Sequence, residues 1–167
     1  MLTRRRLLIG LGVASLISVT GCGRRDESDL SCSPSPIDSG HDCAVCGMFV
    51  SHHPGPKGQV CLRHNRGQLN FCSTRDLFAW LLQPEASAQV AAVYVHDMAK
   101  TDWASPSDSA FIDAKSAYFV VGHGRTGAMG ATLAPFGQLA DAEAFVAEHG
   151  GRVLSYSDID LDTLQNL

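Results

Sequence analysis

Two stretches of this chain repeat one order of local patterns, and that order restricts the fold more than any other feature. In the first, Gln59-Val60-Cys61-Leu62-Arg63 and Gln68-Leu69-Asn70-Phe71 flank the turn-forming His64-Asn65-Arg66-Gly67, which predicts a β-hairpin. Ser73-Thr74-Arg75-Asp76 then reads as a capping box with Asp76 in the role usually taken by glutamate. The helix it opens carries Leu77, Phe78, Leu81 and Leu82 at helical spacing and stops before Pro84. Ala91-Ala92-Val93-Tyr94-Val95 follows as a buried strand. The second stretch has a strand over Ser116–Val121, a glycine-rich turn from Gly122 to Gly130 and a further strand over Ala131-Thr132-Leu133. A helix from Leu139 to His149 buries Ala142, Phe145 and Val146, stops at Gly150-Gly151, and leads into a strand over Arg152–Tyr156. A shift of 65 residues lays Phe71 on Phe136, Asp76 on Asp141 and Trp80 on Phe145, each at the same point of the same element. The expected fold is therefore α+β, with two homologous ββαβ units over residues 41–100 and 101–167. They share one core, because neither unit buries enough surface alone.

The units are preceded by a leader and a spacer. Arg4-Arg5-Arg6 is a basic start, and Leu7 to Val19 is an apolar run too short to span a bilayer in the mature protein. It ends at Val19-Thr20-Gly21-Cys22, the pattern of a bacterial lipoprotein cleavage site, so residues 1–21 read as a signal peptide and Cys22 as a lipidated cysteine. Acyl chains on Cys22 would hold the protein durably on a membrane outside the cytoplasm, in the periplasm. Gly23 stands where an aspartate would signal inner-membrane retention, which favours the outer membrane. Thr3-Arg4-Arg5-Arg6-Leu7-Leu8 fits a twin-arginine export signal as well as an ordinary one. Residues 22–40 are rich in Ser, Asp and Pro with almost nothing to bury, a flexible spacer in which Cys32 has no expected structural role.

Charge and cysteine count narrow the chemistry. Removing the three leader arginines takes the formal charge from −4 to −7, and no basic run offsets it, which argues against a nucleic-acid partner. Beyond Cys22 remain Cys32, Cys43, Cys46, Cys61 and Cys72, an odd number, so at least one thiol stays free of any disulfide framework within the chain. Metal binding is one way to protect it.

Asp42-Cys43-Ala44-Val45-Cys46-Gly47-Met48 sets two thiols and a thioether within six positions, soft donors that select Cu(I) over Mg, Ca and Mn. Two sulfurs so close can meet one ion only if the backbone bends, and Gly47 makes that bend easy. Met129, near Gly127 and Gly130 in the second unit's turn, is placed to close such a site from across the two units. The candidate ligands are Cys46, Met48 and Met129, with Cys43 beside them. Methionines often only fill gaps in a core, but these two lie outside the apolar periodic runs and beside glycine. Two other readings stay open. Cys43, Cys46, Cys61 and Cys72 could form a structural zinc site, with Cys72 at a helix start. Cys43 and Cys46 could be a thiol–disulfide oxidoreductase pair, although such pairs open a helix and this one leads into the extended Met48-Phe49-Val50. His52 and His53 read as loop residues, and His96 and His123 as structural histidines. Gly122-His123-Gly124-Arg125-Thr126-Gly127 has neither the P-loop lysine nor a dinucleotide fingerprint, and no catalytic triad or carboxylate pair appears, so no enzyme is expected.

Cys43-Ala44-Val45-Cys46-Gly47-Met48, Pro54-Gly55-Pro56-Lys57-Gly58-Gln59, Phe71-Cys72-Ser73-Thr74-Arg75-Asp76-Leu77, Ala128-Met129-Gly130 and Ala134-Pro135-Phe136 together resemble the NosL family. These are accessory copper lipoproteins encoded with nitrous-oxide reductase, and the resemblance runs from about His41 to Tyr156. It implies a Cu(I) chaperone that helps assemble the copper–sulfide centre of that reductase. The implied partners are an ABC-type membrane complex with its periplasmic subunit, then nitrous-oxide reductase itself. It implies a fold of two ββαβ units similar to organomercurial lyase, and metal ligation at Cys46, Met48 and Met129. Cys32 and Cys61 fall outside the family's motifs, and Cys61 leaves open a second site.

Overall fold

Strand β1 (Gly58–Leu62) turns into β2 (Gln68–Phe71) in the computed structural model, which describes residues 32–64 and 66–167. The leader, the lipidation at Cys22 and the first part of the spacer lie outside the described residues. The hairpin is antiparallel, with Gly58 opposite Phe71 and Cys61 opposite Gln68. Helix α1 (Thr74–Leu81) follows, then a single turn, α2 (Ala86–Gln89), and strand β3 (Val90–His96). β4 (Phe111–Asp113) completes an antiparallel sheet of order β2-β1-β3-β4. The chain continues through β5 (Tyr118–Val121), the short hairpin β6 (Thr126–Gly127) and β7 (Gly130–Ala131), and β8 (Ala134–Phe136). Helix α3 (Leu139–His149), β9 (Arg152–Ser155) and the terminal α4 (Leu161–Gln165) end it. β8-β5-β9 form a second antiparallel sheet.

The two sheets share a topology. In each, the first strand is central, the second and the post-helix strand flank it, and the helix connects the flanking strands. The aromatic pair is repeated as well: Phe71 meets Trp80 of α1 at 5.8 Å, and Phe136 meets Phe145 of α3 at 5.1 Å. The architecture is α+β, as the sequence predicts. One apolar cluster joins both units, with Val60, Phe71, Leu77 and Phe78 against Phe119, Leu133 and Ile159. Phe78 and Phe119 pack edge to face at its centre, 5.2 Å apart. A smaller cluster of Trp103, Val120, Ala134, Phe136 and Ala142 lies under α3.

Local chemistry sets the key junctions. Ser73 caps α1 by accepting from the Asp76 amide at 3.1 Å. α1 can lie close over β1 because residue 58 is glycine; a Cβ there would stand 2.7 Å from Leu77 Cδ2. The predicted strand over Ala131-Thr132-Leu133 stops at Ala131, the end of β7. Thr74 Oγ1 instead bonds Thr132 Oγ1 at 2.8 Å, donates to the Leu133 carbonyl at 2.6 Å and accepts from the Leu133 amide at 3.1 Å. Those backbone groups are thereby engaged with the start of α1 rather than with a neighbouring strand, and the sheet strand begins at Ala134.

The segment after Cys32 departs from expectation. Successive residues of a strand point to opposite faces, so Gln59 and Cys61 face away from Val60 and the core. That outer face is covered by residues 32–37. Cys32 and Cys61 form a disulfide, Ser35 exchanges hydrogen bonds with the Gln59 side chain, and Tyr94 Oη donates to the Cys32 carbonyl. The Ile37 amide donates to Asp108 at 2.8 Å. Cys32 therefore has a structural role, contrary to the reading of the spacer: it staples this segment to the central strand and lets the polar Gln59 be fully buried with its partners made.

Candidate metal centre

Cys43 to Met48 form a tight loop closed on itself. The Cys43 amide donates to the Met48 carbonyl and the Gly47 amide to the Cys43 carbonyl, both at 2.9 Å. The bend passes through Gly47 at φ +72°, where a side chain would strain the backbone. The Ala44 amide donates to the Asn70 carbonyl at 2.9 Å, which docks the loop beside β2, and the fully buried Val50 fixes its far end. Cys72 arrives from the other side, as the residue between β2 and the cap of α1.

These two pieces bring three free thiols and a carboxylate together. Cys46 Sγ lies 3.4 Å from Cys72 Sγ, Cys72 Sγ donates to Asp76 Oδ2 at 3.1 Å, and Cys43 Sγ lies 3.6 Å from the same oxygen. The four ligand atoms all fall within 4.8 Å of one another. Cys43 and Cys72 are buried, whereas Cys46 is half-buried at the mouth. The Cys72 thiol beside it holds the Cys43 pKa well below the ordinary thiol range, and the same contact pushes Cys72 up. Burial raises Cys46. Cys43 is accordingly the readiest thiolate of the three.

Lys57 supports the cluster from below. Only 3% exposed, it donates from Nζ to the carbonyls of His53, Pro54 and Cys72 at 2.6, 3.0 and 3.1 Å. Burial lowers its pKa to about 8, and the nearby Cys72 and Cys43 work against that shift. The ammonium thus ties the Pro54-Gly55-Pro56 loop to the carbonyl of one thiol residue and offsets negative charge on the sulfurs.

The remaining expected residues are placed as follows. Met48 follows Cys46 by two residues and packs half-buried against the core. Met129 stands exposed at the tip of the β6–β7 hairpin. That hairpin lies against the Pro54–Lys57 loop: a Cβ on Gly55 would approach Gly127 Cα to 2.9 Å, and Trp103 Nε1 donates to the Thr126 carbonyl. Cys61 is outside the cluster, bonded to Cys32, which removes the four-cysteine zinc arrangement. His96 is fully buried, and His123 packs edge-on against the stacked Trp103 and Phe145. Asp76 was legible as a capping residue, and Cys72 as a thiol at the helix start that the zinc alternative uses and that the copper reading leaves open as a ligand or a support. Their i, i+4 spacing across the start of α1 was the available sign that they share a face.

A small α+β domain that gathers three reduced thiols around one carboxylate, while pairing its other two described cysteines, offers a donor set suited to a soft metal ion. The chain belongs to the NosL family, whose profile matches residues 34–164. It is 45% identical over 155 residues to the copper-binding lipoprotein NosL of Stutzerimonas stutzeri, covering 93% of this chain and 80% of that protein. With the protein of the same name from Achromobacter cycloclastes it shares 38% identity over 164 residues, 93% of this chain and 81% of the relative. The crystal structure of the copper chaperone NosL from Shewanella denitrificans superposes with a TM-score of 0.76 at 48% identity, covering 78% of this chain and 97% of that one. These relatives are named as a metal-binding lipoprotein and a chaperone, not as enzymes. Among the described residues no helix is long and apolar enough to cross a membrane.

Proposed function

We propose that this protein is a Cu(I) chaperone anchored in the periplasm through lipid on Cys22, at the outer membrane. It would deliver copper to an ABC-type membrane complex and its periplasmic subunit for assembly of the copper–sulfide centre of nitrous-oxide reductase. The observation that carries this reading is the three-thiol cluster beside Met48, a donor set of the softness that Cu(I) prefers and harder ions do not. The names of the relatives, copper-binding lipoprotein and copper chaperone, support it. The ion is held by Cys46, Met48 and Met129, with Cys43 as the neighbouring thiolate. Cys46 is the least buried of the three thiols, so an incoming acceptor sulfur would bind the ion there and replace Cys46 as its ligand. Anaerobic titration against a competing Cu(I) chelator tests the assignment. Cys46→Ser should abolish tight binding, and Met48→Leu and Met129→Leu should each weaken it about tenfold or more. Unchanged affinity in Cys46→Ser refutes the site.

A further inference from the structure

Three thiols stay reduced in a domain whose other two described cysteines are paired. We infer that Cys46 and Cys72 form a redox gate on the metal centre: a disulfide oxidant joins them in a bond that takes Cys46 away from the ion, and reduction reopens the site. This rests on the Cu(I) reading of Cys46 above and adds the regulation of that site.

Closure asks for little movement. The two sulfurs are already in contact at 3.4 Å. A disulfide places them about 2.05 Å apart, so one sulfur must advance by about 1.4 Å. Cys46 is the one with room to move. It lies between Val45, which is 48% exposed, and Gly47, where an added Cβ would meet nothing within 4 Å. Cys72 is held in place where β2 ends, its thiol donating to Asp76 Oδ2 at 3.1 Å. Cys43 is the poorer partner, because its sulfur makes its contact with that same Asp76 oxygen, at 3.6 Å.

Exposure sets the order of events. Cys46 is half-buried, whereas Cys43 and Cys72 are only 3% and 0% exposed. An incoming disulfide RSSR is therefore attacked by Cys46, which forms a mixed disulfide and releases one RSH carrying the Cys46 proton. Cys72 then attacks Cys46 Sγ, and the second RSH leaves with the Cys72 proton. Two cysteine thiols are oxidised and one external disulfide is reduced to two thiols, so protons and electrons balance. An accessible thiol beside a resolving thiol is the arrangement of a redox-sensing pair. Oxidant is at hand where this domain matures, since a disulfide such as Cys32–Cys61 forms and persists in oxidising surroundings. Cu(I) on Cys46 blocks the first attack, so a loaded site stays open and an empty one closes.

The experiment treats the copper-free lipoprotein, extracted from membranes with its three thiols reduced, with oxidised glutathione, followed by intact mass and a tryptic map after alkylation. The wild type should lose two hydrogens and carry no glutathione. The Cys72 fragment, Gly67–Arg75, should be joined by a disulfide to the fragment of residues 26–57, which carries Cys46. The closed protein should lose its Cu(I) to bicinchoninate and regain binding after reduction. Cys43→Ala should close in the same way, whereas Cys72→Ser should stop at one glutathione on Cys46; circular dichroism identifies a variant that fails to fold, and the wild-type map stands without it. A free, alkylated Gly67–Arg75 fragment overturns the inference, as does a Cys43→Ala protein that folds but does not close. A closed protein that holds Cu(I) as tightly as the reduced one overturns the gate. A reduced wild type that binds no Cu(I) overturns the copper reading instead, and the map still decides whether the pair closes.

Discussion

Thr74 shows how much one hydroxyl can organise. It bonds Thr132 and both backbone groups of Leu133, and so fastens the second unit's Met129-bearing segment to the start of the helix that carries Asp76. Thr74→Val keeps the shape and removes those bonds, leaving buried groups unpaired at a cost of about 1–3 kcal/mol. A lowered denaturation midpoint together with weakened copper retention is expected. His96 sets a different sensitivity. Burial, with Lys57 nearby, lowers its pKa from 6.5 to about 3. Between those values the unfolded chain binds a proton that the folded chain does not. Stability from this residue is therefore complete above pH 6.5 and falls as the pH drops toward 3, by up to about 1.4 kcal/mol per pH unit. Urea unfolding across that range should show the slope, and His96→Gln should flatten it even if the variant is less stable throughout.

At the scale of elements, the contact of α1 with β1 positions the site, because β2 and α1 meet at Cys72. Gly58→Ala would thrust a methyl group to 2.7 Å from Leu77 Cδ2 and 3.0 Å from Leu77 Cβ, and Leu77 is fully buried with nowhere to turn. Overpacking of this kind costs about 1–3 kcal/mol and would lift α1. Loss of copper affinity along with melting temperature would show that the helix and the thiols move together. Elements with a strong period were legible in the sequence: the β1–β2 hairpin, α1, β3 and α3 all lie within a few residues of their expected bounds. β4 and α4 went unread because three and five residues carry no period to detect. The strand expected at 131–133 breaks off after Ala131 for a tertiary reason, the hydrogen bonds that Thr74 makes to Thr132 and Leu133. The site was half legible. Cys43, Cys46 and Met48 declare themselves by spacing, whereas Cys72 and Asp76 join them only through the docking of the loop on β2. The capping pattern around Ser73 gave Asp76 an ordinary explanation that concealed its second contact.

For the whole molecule, stability and metal binding are separable. Apolar packing and the Cys32–Cys61 disulfide hold the fold, and Cys43 and Cys72 pack within that core through contacts of their own to Asp76. Chelation should therefore leave the circular dichroism spectrum unchanged, and collapse of the spectrum would mean that metal is structural. Replacing both Cys32 and Cys61 with serine should cost about 2–5 kcal/mol, given a sequence separation of 29 residues, while copper stoichiometry persists.

That same disulfide shortens a leash. With lipid on Cys22, as proposed above, the chain between anchor and body would run 19 residues if it ended at His41, a maximum of about 65 Å. Fastened at Cys32 it runs 10 residues, about 35 Å at full stretch. The domain is confined to a thin layer over the lipid, where a neighbour that also rises from that surface is met more often and one floating free is met less.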